Sequence, residues 1–492
     1  MPSLDTIMPR LAAINQQHLL HFSNSLAPAQ QAALLNQLAT LDLDTLPSLI
    51  AQYVLAKPQL KLPTTLAPAR VYPNDPADTA NSGERRWDQS AARARGEALI
   101  RAGKVGAFVV AGGQGSRLGF EGPKGCYPAG SVTNKPLFQI FAEQILATQR
   151  RYSTIVPWYV MTSPLNHEQT VSFFRQHNNW GLSPEHVRFF QQGVAPSIDM
   201  KTGKVLLTSK HEVATNPDGH GGAVRALHVS GSLTDMQRRG VEHLCYFQVD
   251  NPLVRVIDPI FLGLHVGAPD HSIATSGEMS SKMVAKAGSD EKVGVFVLAD
   301  GRTQVLEYSD MPAELQSARN PRGDLLYNAG SIAIHTISVE FLSRLATDAR
   351  FALPWHRAEK KIPCVDIATG ETITPQANNG VKLEKFIFDA LALCKQSLVY
   401  ETLREEEFGP IKNATGVDSV VTSKALQSFR AAKWLDGAGV AIPKKPDGTP
   451  DCTLELSSLT ALSADELRGG AGGGGGGVKL PKAIERGAII AL

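Results

Sequence analysis

The chain has 492 residues, 43% apolar and 20% charged, the balance of a globular protein with a large core in two or three domains, which excludes disordered and fibrous classes. Its 49 basic and 47 acidic residues leave a net charge of +2, so no whole-chain field draws in nucleic acid or anionic lipid, and a charged ligand has to be held locally. The five cysteines, Cys126, Cys245, Cys364, Cys394 and Cys452, are scattered and form no C-x-x-C pair, which suits reduced thiols better than a disulfide frame or a zinc site. The opening stretch MPSLDTIMPRL lacks a basic segment followed by an apolar one, and no apolar run is long enough to span a bilayer. A cytoplasmic protein without membrane or nucleic-acid partners is expected.

In chain order, residues 1–100 read as a helical region followed by a linker. APAQQAALLNQLATLDLDTLPSLIAQYVL repeats apolar residues at spacings of three and four, as Ala33, Leu34, Leu38 and Leu41 show, whereas KPQLKLPTTLAPARVYPNDPADTANSG is rich enough in Pro, Asp and Asn to be an extended connection. From residue 101 to 405, strand-like and helix-like runs alternate. VGAFVVA is a strand, PLFQIFAEQILATQRRY an amphipathic helix, TIVPWYVMTS a strand, NHEQTVSFFRQH a helix, and HVRFFQQ and HLCYFQVDN further strands. That alternation predicts an α/β domain with helices layered on a largely parallel sheet. Residues 406–492 weaken into a small C-terminal domain containing RGGAGGGGGGVKL, where the glycine run 469–477 reads as a flexible surface loop.

The strand VGAFVVA runs into AGGQGSRLGFEGPKG, with four glycines among the eight residues from Gly112 to Gly119. A dinucleotide fingerprint is one residue out of register, because after Gly113 and Gly115 the next glycine is Gly119. A P-loop would need Gly-Lys-Ser/Thr opening a helix, and the nearby lysine sits in GPKGC instead. What is left is a bare backbone at a strand end with Arg117, a planar fork, and Lys124, a compact charge, beside it: equipment for a polyphosphate.

The loop resembles the signature of the UTP-using sugar-1-phosphate uridylyltransferases. Further blocks resemble the branch of eukaryotic-type UDP-N-acetylglucosamine pyrophosphorylases: FFQQGVAP from Phe189, PDGHGG from Pro217, FQVDNPLVRVIDP from Phe247, VLEYSD from Val305, YNAGSIAIH from Tyr327, KKIP from Lys360, NGVKLEKFIFD from Asn379 and EFGPIKNA from Glu407. The resemblance implies a Rossmann-like nucleotide-diphospho-sugar transferase domain with a mixed, largely parallel sheet. It also implies attack of a sugar-1-phosphate on the α-phosphorus of UTP with release of pyrophosphate, a reaction in which positioning and charge neutralisation do most of the work.

By that resemblance Arg117, Lys124, Lys382 and Lys412 handle the phosphates. Asp250, at the end of LCYFQV, is the carboxylate for Mg2+; a turn-capping role beside Asn251 is the competing reading. Val110, Ala111, Gly112, Gly113, Gly115, Gln192 and Gly219 bind the nucleotide, with Gln191 as the alternative amide, since neighbours on a strand face opposite ways. His220, Gly294, Glu307, Tyr308, Asn328 and Gly330 line the sugar pocket. His220 departs from the Asn usual in this branch and is more familiar in glucose-using relatives, so glucose-1-phosphate and galactose-1-phosphate stay open as acceptors. A non-catalytic nucleotide-sugar sensor is the other class, and no oligomeric state is read from the sequence.

Overall fold

The run VGAFVV forms the strand Val105–Val110, buried over its first five residues, as a strand covered on both faces requires. In the computed structural model, which describes residues 2–57, 63–78, 86–468 and 480–492, it pairs in parallel with His243–Gln248 on one side and Trp158–Thr162 on the other. Val187–Gln191 continues the parallel row, while Ala329–Ser338 lies antiparallel on the far side of His243–Gln248. Met279–Ala285, Leu398–Glu401 and Val71–Tyr72 follow, and three short strands complete an eleven-stranded sheet. The sheet is mixed and largely parallel, as expected. Its register sets Val110 opposite both Gln248 and Met161, so the loops leaving these three strands emerge side by side along one carboxyl edge.

Helices cover the sheet for identifiable reasons. Leu137–Tyr152 turns Leu137, Phe138, Phe141, Ala142 and Ile145 inward and stops at Ser153, whose φ of 48° is left-handed. Gln89–Arg101 is capped by the Asp88 carboxylate, which accepts the Ala91 N–H at 3.0 Å. It meets Pro259–His265 through two glycines: a Cβ at Gly96 would strike the Pro259 carbonyl, and one at Gly263 the Ala92 carbonyl.

Backbone contacts gather the chain into two units that cut across the three consecutive stretches read from the sequence. The sheet belongs to one unit, made of Pro63–Gln191, Leu227–Phe351 and Ala390–Leu492. Met1–Leu62, Gln192–Ala226 and Ala352–Asp389 form the other. The reason is apolar coverage: Leu11, Leu34 and Leu38 of the N-terminal helices find their partners in Ile198, Leu207 and Val381, far along the chain. Of the predicted linker, Leu66–Pro68 and Val71–Tyr72 are extended as expected and serve as strands of the sheet. The C-terminal stretch has a small core of its own within the larger unit, with Trp434, Leu435, Leu454 and Ile484 buried beside the parallel pair Thr453–Glu455 and Ile489–Ala491. The glycine run 469–477 lies outside the described residues.

Candidate active site

The loop after Val110 is held from behind. Ala111 donates its N–H to the Met161 carbonyl at 2.8 Å, Lys124 N–H to Gly113 at 3.0 Å, and Gly115 N–H to Gly122 at 2.9 Å. The fully buried Asn166 donates its amide to the carbonyls of Ala111 (2.9 Å) and Gly113 (3.2 Å), while its oxygen accepts the Ser163 N–H at 2.8 Å. With the carbonyls engaged, the N–H groups of Gly112, Gly113 and Gln114 meet no acceptor among the described residues. Such a row of free amides is an anion and carbonyl receptor. Two of its glycines answer different needs: a Cβ at Gly115 would press to 2.7 Å from the Phe120 ring, whereas one at Gly113 meets nothing within 4 Å, leaving that side open to a ligand.

Around the loop stand the charges. Arg117 is exposed and has no hydrogen bond or ion pair among the described residues. Lys124 Nζ lies 3.6 Å from Asp250 Oδ2, with both side chains mostly buried. Asp250 comes two residues after the strand, and the turn-building role belongs to its neighbour: Asn251 donates to the Glu407 carbonyl at 2.7 Å and accepts the N–H groups of Leu253 (3.3 Å) and Gly409 (3.1 Å). The Asp250 carbonyl accepts the Ile411 N–H at 2.8 Å, which lays the segment carrying Lys412 alongside. Asp250 and Lys412 thus line one recess with Gln248, Ala333 and Phe408. Lys412 Nζ sits 3.3 Å from Asp418 and 5.5 Å above the Phe408 ring. No group of three or more His, Cys, Asp or Glu side chains placed to hold a metal ion occurs among the described residues. A single carboxylate fits Mg2+, which completes its shell with phosphate oxygens and water, and does not fit zinc.

In the same unit the residues read as a sugar pocket draw partly together. Ser331 donates its N–H to the Gly294 carbonyl at 2.8 Å, Gly330 pairs opposite Val295, and a Cβ at Gly294 would come within 2.9 Å of a Glu307 carboxylate oxygen. The Asn328 carbonyl accepts the N–H groups of Lys286 and Gly330, both at 2.9 Å. Tyr308 is 40% exposed, and its carbonyl takes the Gln316 amide at 3.0 Å.

The other unit holds the remaining candidates. Gln192 is buried, whereas Gln191, the end of its strand, is exposed. Gly219 adopts φ 83°, and a Cβ there would strike the Lys385 carbonyl, which accepts the Gly221 N–H at 2.8 Å. Lys382 lies opposite Ala358 in a strand pair, its ammonium without an acceptor among the described residues. His220 stacks on Phe386 at 5.3 Å and 22° and accepts the Ile387 N–H at Nδ1 (3.2 Å). Burial, then the nearby His356, pushes its pKa down to about 4. The ring is therefore neutral at pH 7, with Nε2–H as its donor. His356 also stacks on Phe386, at 4.4 Å, and its Nε2 lies 2.8 Å from Asp389.

Asp218, beside Gly219, is a residue the sequence reading passed over. It is 7% exposed, its Oδ1 has no hydrogen-bond partner among the described residues, and side chains at Gly193 or Gly222 would overlap its carboxylate. Desolvation raises its pKa to about 6, against the charge of Lys385. A raised carboxyl pKa means the folded state holds the proton more tightly. Its contribution is then fully present below about pH 4 and is lost as pH rises through 6. Asp218→Asn is expected to remove this part of the pH dependence: urea melts at pH 5 and pH 8 should differ by about 1–2 kcal/mol less in the variant than in the parent. Equal pH dependence in both would show that Asp218 does not titrate on unfolding.

Residues 84–430 match the family model described as UTP--glucose-1-phosphate uridylyltransferase. The chain belongs to this family. It is 37% identical to the human UDP-N-acetylhexosamine pyrophosphorylase-like protein 1, over 95% of this chain and 94% of that protein. It is 35% identical to the UDP-N-acetylglucosamine pyrophosphorylase of Saccharomyces cerevisiae, over 75% of this chain and 76% of that one. Among solved structures, the uridine diphosphate N-acetylglucosamine pyrophosphorylase of Trypanosoma brucei shares the fold with a TM-score of 0.77 at 24% identity, covering 94% of each chain. In this uridylyltransferase-family chain, Asn166 and Asn251 carry no sequence signal beyond standing next to a helix start and a strand end. Phe386 and Phe388 lay in plain view in KFIFD, two aromatics at strand spacing after Lys382.

Proposed function

We propose that this protein is a UTP-dependent uridylyltransferase that makes UDP-N-acetylglucosamine and pyrophosphate from UTP and N-acetylglucosamine-1-phosphate. The observation that carries the reading is the row of amides at Gly112–Gln114, at the carboxyl edge of the sheet, which like the nearby Arg117 side chain have no partner among the described residues, beside the Lys124–Asp250 pair. The names of the curated relatives support the acetylated sugar.

In this reading the uracil is read by backbone from Val110 to Gly113 and by Gly115, and Gly219 and the Gln192 amide are the nucleotide-binding candidates of the other unit. Lys124 and Lys412 hold phosphate oxygens, Lys412 exchanging Asp418 for its ligand, Arg117 meets the charge that develops on the departing pyrophosphate, and Lys382 is the phosphate candidate of the other unit. Asp250 would hold Mg2+, which when bound shields the phosphates and draws charge from the bond being broken. Glu307, Asn328 and the close-packed Gly294 and Gly330 would face the sugar, with Tyr308 at the rim. No described helix is long and apolar enough to cross a membrane. All five cysteines are free, which supports residence in a reducing compartment such as the cytoplasm.

Pyrophosphate release from UTP across N-acetylglucosamine-, glucose- and galactose-1-phosphate tests the reading. The acetylated sugar should be the best acceptor, with measurable activity on glucose-1-phosphate. His220 stacks on Phe386 and its Nδ1 is taken by Ile387, so His220→Asn replaces a committed ring with a smaller donor–acceptor pair. The ratio of kcat/KM for the acetylated sugar over glucose should then rise about fivefold, or ~1 kcal/mol. An enzyme active on glucose-1-phosphate alone would move the acceptor to that sugar, and no release with any of the three would remove the reading.

A further inference from the structure

The helix Val420–Gly437 touches the segments on either side of the recess shared by Asp250 and Lys412. It starts at Ser419, whose hydroxyl accepts the Thr422 N–H at 3.3 Å, and Ser423 donates its hydroxyl to the Gly409 carbonyl at 2.6 Å. Two turns on, Arg430 Nη1 donates to the carbonyls of both Leu253 and Glu406, each at 2.8 Å. Leu253 follows Asp250 by three residues and Glu406 precedes Lys412 by six. Two carbonyl oxygens aimed at one point repel each other unless a charged donor stands between them. The guanidinium is further fixed 5.3 Å above the Trp434 ring.

We propose that Arg430 is a positioning residue for the transfer step: by gripping the carbonyls of Leu253 and Glu406 it sets the spacing between Asp250 and Lys412. The inference rests on the roles given to those two residues above. The fold does not hang on this grip alone. Asn251 independently ties its own turn to Glu407 and Gly409, and the fully buried Lys282 sits at 2.6 Å from both Asp258 and Glu407. Loss of Arg430 therefore leaves the segments joined at Asp250–Ile411 and Asn251–Glu407 but unbraced at Leu253 and Glu406, and misplacement of about 1 Å is enough to slow a pre-organised reaction by about 100-fold.

The test compares Arg430→Lys, which keeps the charge and reaches one carbonyl, with Arg430→Met, which keeps the packing and reaches neither. Lys433→Ala is the control: it removes an ammonium from the same helix that pairs with Glu405 and Glu406. We expect kcat to fall about tenfold in the lysine variant and about 100-fold in the methionine variant. UTP affinity at saturating Mg2+, measured by calorimetry, should change less than about threefold, and the Mg2+ concentration needed for half-maximal UTP binding should rise in the order parent, Lys, Met. The control should match the parent. Parent-like kcat in Arg430→Met overturns the inference, as does a loss of kcat and UTP affinity that simply tracks a lowered melting temperature. A parent that releases no pyrophosphate overturns the uridylyltransferase reading instead; coincident Mg2+ curves for UTP binding by parent and Arg430→Met would then overturn the inference by itself.

Discussion

Arg117→Ala is expected to lower kcat by about 100-fold or more while leaving KM for UTP within about threefold. The argument begins from the absence of competing work for this side chain. Arg117 is exposed, without a hydrogen bond or ion pair among the described residues, and the short helical turn Ser116–Leu118 that carries it hydrogen-bonds through its backbone. Its removal costs the fold little, so the melting temperature should be unchanged. An exposed, uncommitted guanidinium at the edge of a phosphate-binding loop gains most where charge appears late, on the oxygen that leaves with pyrophosphate, and an interaction made only then shows in kcat. Steady-state kinetics in both directions would check it. A variant with parent kcat and a raised KM would place Arg117 on ground-state UTP.

Asp250→Asn should shift the Mg2+ titration of activity to at least about tenfold higher concentration, because the amide keeps the shape and loses the charge that holds a hard divalent cation. The structure adds a second expectation. Lys124 Nζ lies 3.6 Å from this carboxylate, so the substitution also frees the lysine and leaves an excess positive charge at the phosphates. UTP affinity in the absence of metal should therefore rise, even as metal-dependent turnover falls. The two changes together mark a metal-holding carboxylate. Activity whose Mg2+ titration overlays that of the parent would remove Asp250 from that role.

How much of this was legible in the sequence depends on the range over which each residue acts. The strand Val105–Val110, the glycine loop and the helix Leu137–Tyr152 follow from local periodicity and spacing, and they stand where they were expected. Whether Asp250 serves a metal or caps a turn beside Asn251 could not be decided from type or spacing. What separates them is that Asn251 meets Glu407 and Gly409 more than 150 positions away, which leaves the carboxylate beside it for other work. His220 stood out only as a departure from a pattern. Its commitment to Ile387 and Phe386 arises from a segment 167 positions further on. Asp218 and Arg430 were invisible for the same reason: a buried acid between glycines and an arginine on two carbonyls are properties of chain segments brought together in space. The domain boundaries drawn from composition failed to anticipate that helices at the start would be covered by strands near residues 200 and 380.

That last arrangement has a consequence in time. The ribosome delivers the N-terminal helices first, and the strands that cover Leu11, Leu34 and Leu38 are delivered later, Ile198 and Leu207 midway and Val381 and Leu383 last. At about 5–20 residues per second, the wait for the last of them is on the order of half a minute. Throughout that interval the N-terminal helices have only one another to pack against and lack part of their core, while the strands Val105–Val110, Trp158–Thr162, Val187–Gln191 and His243–Gln248 can already pair. During synthesis, therefore, the helices of residues 4–55 are made well before the strands that complete their core, and in that interval their uncovered leucines are open to aggregation.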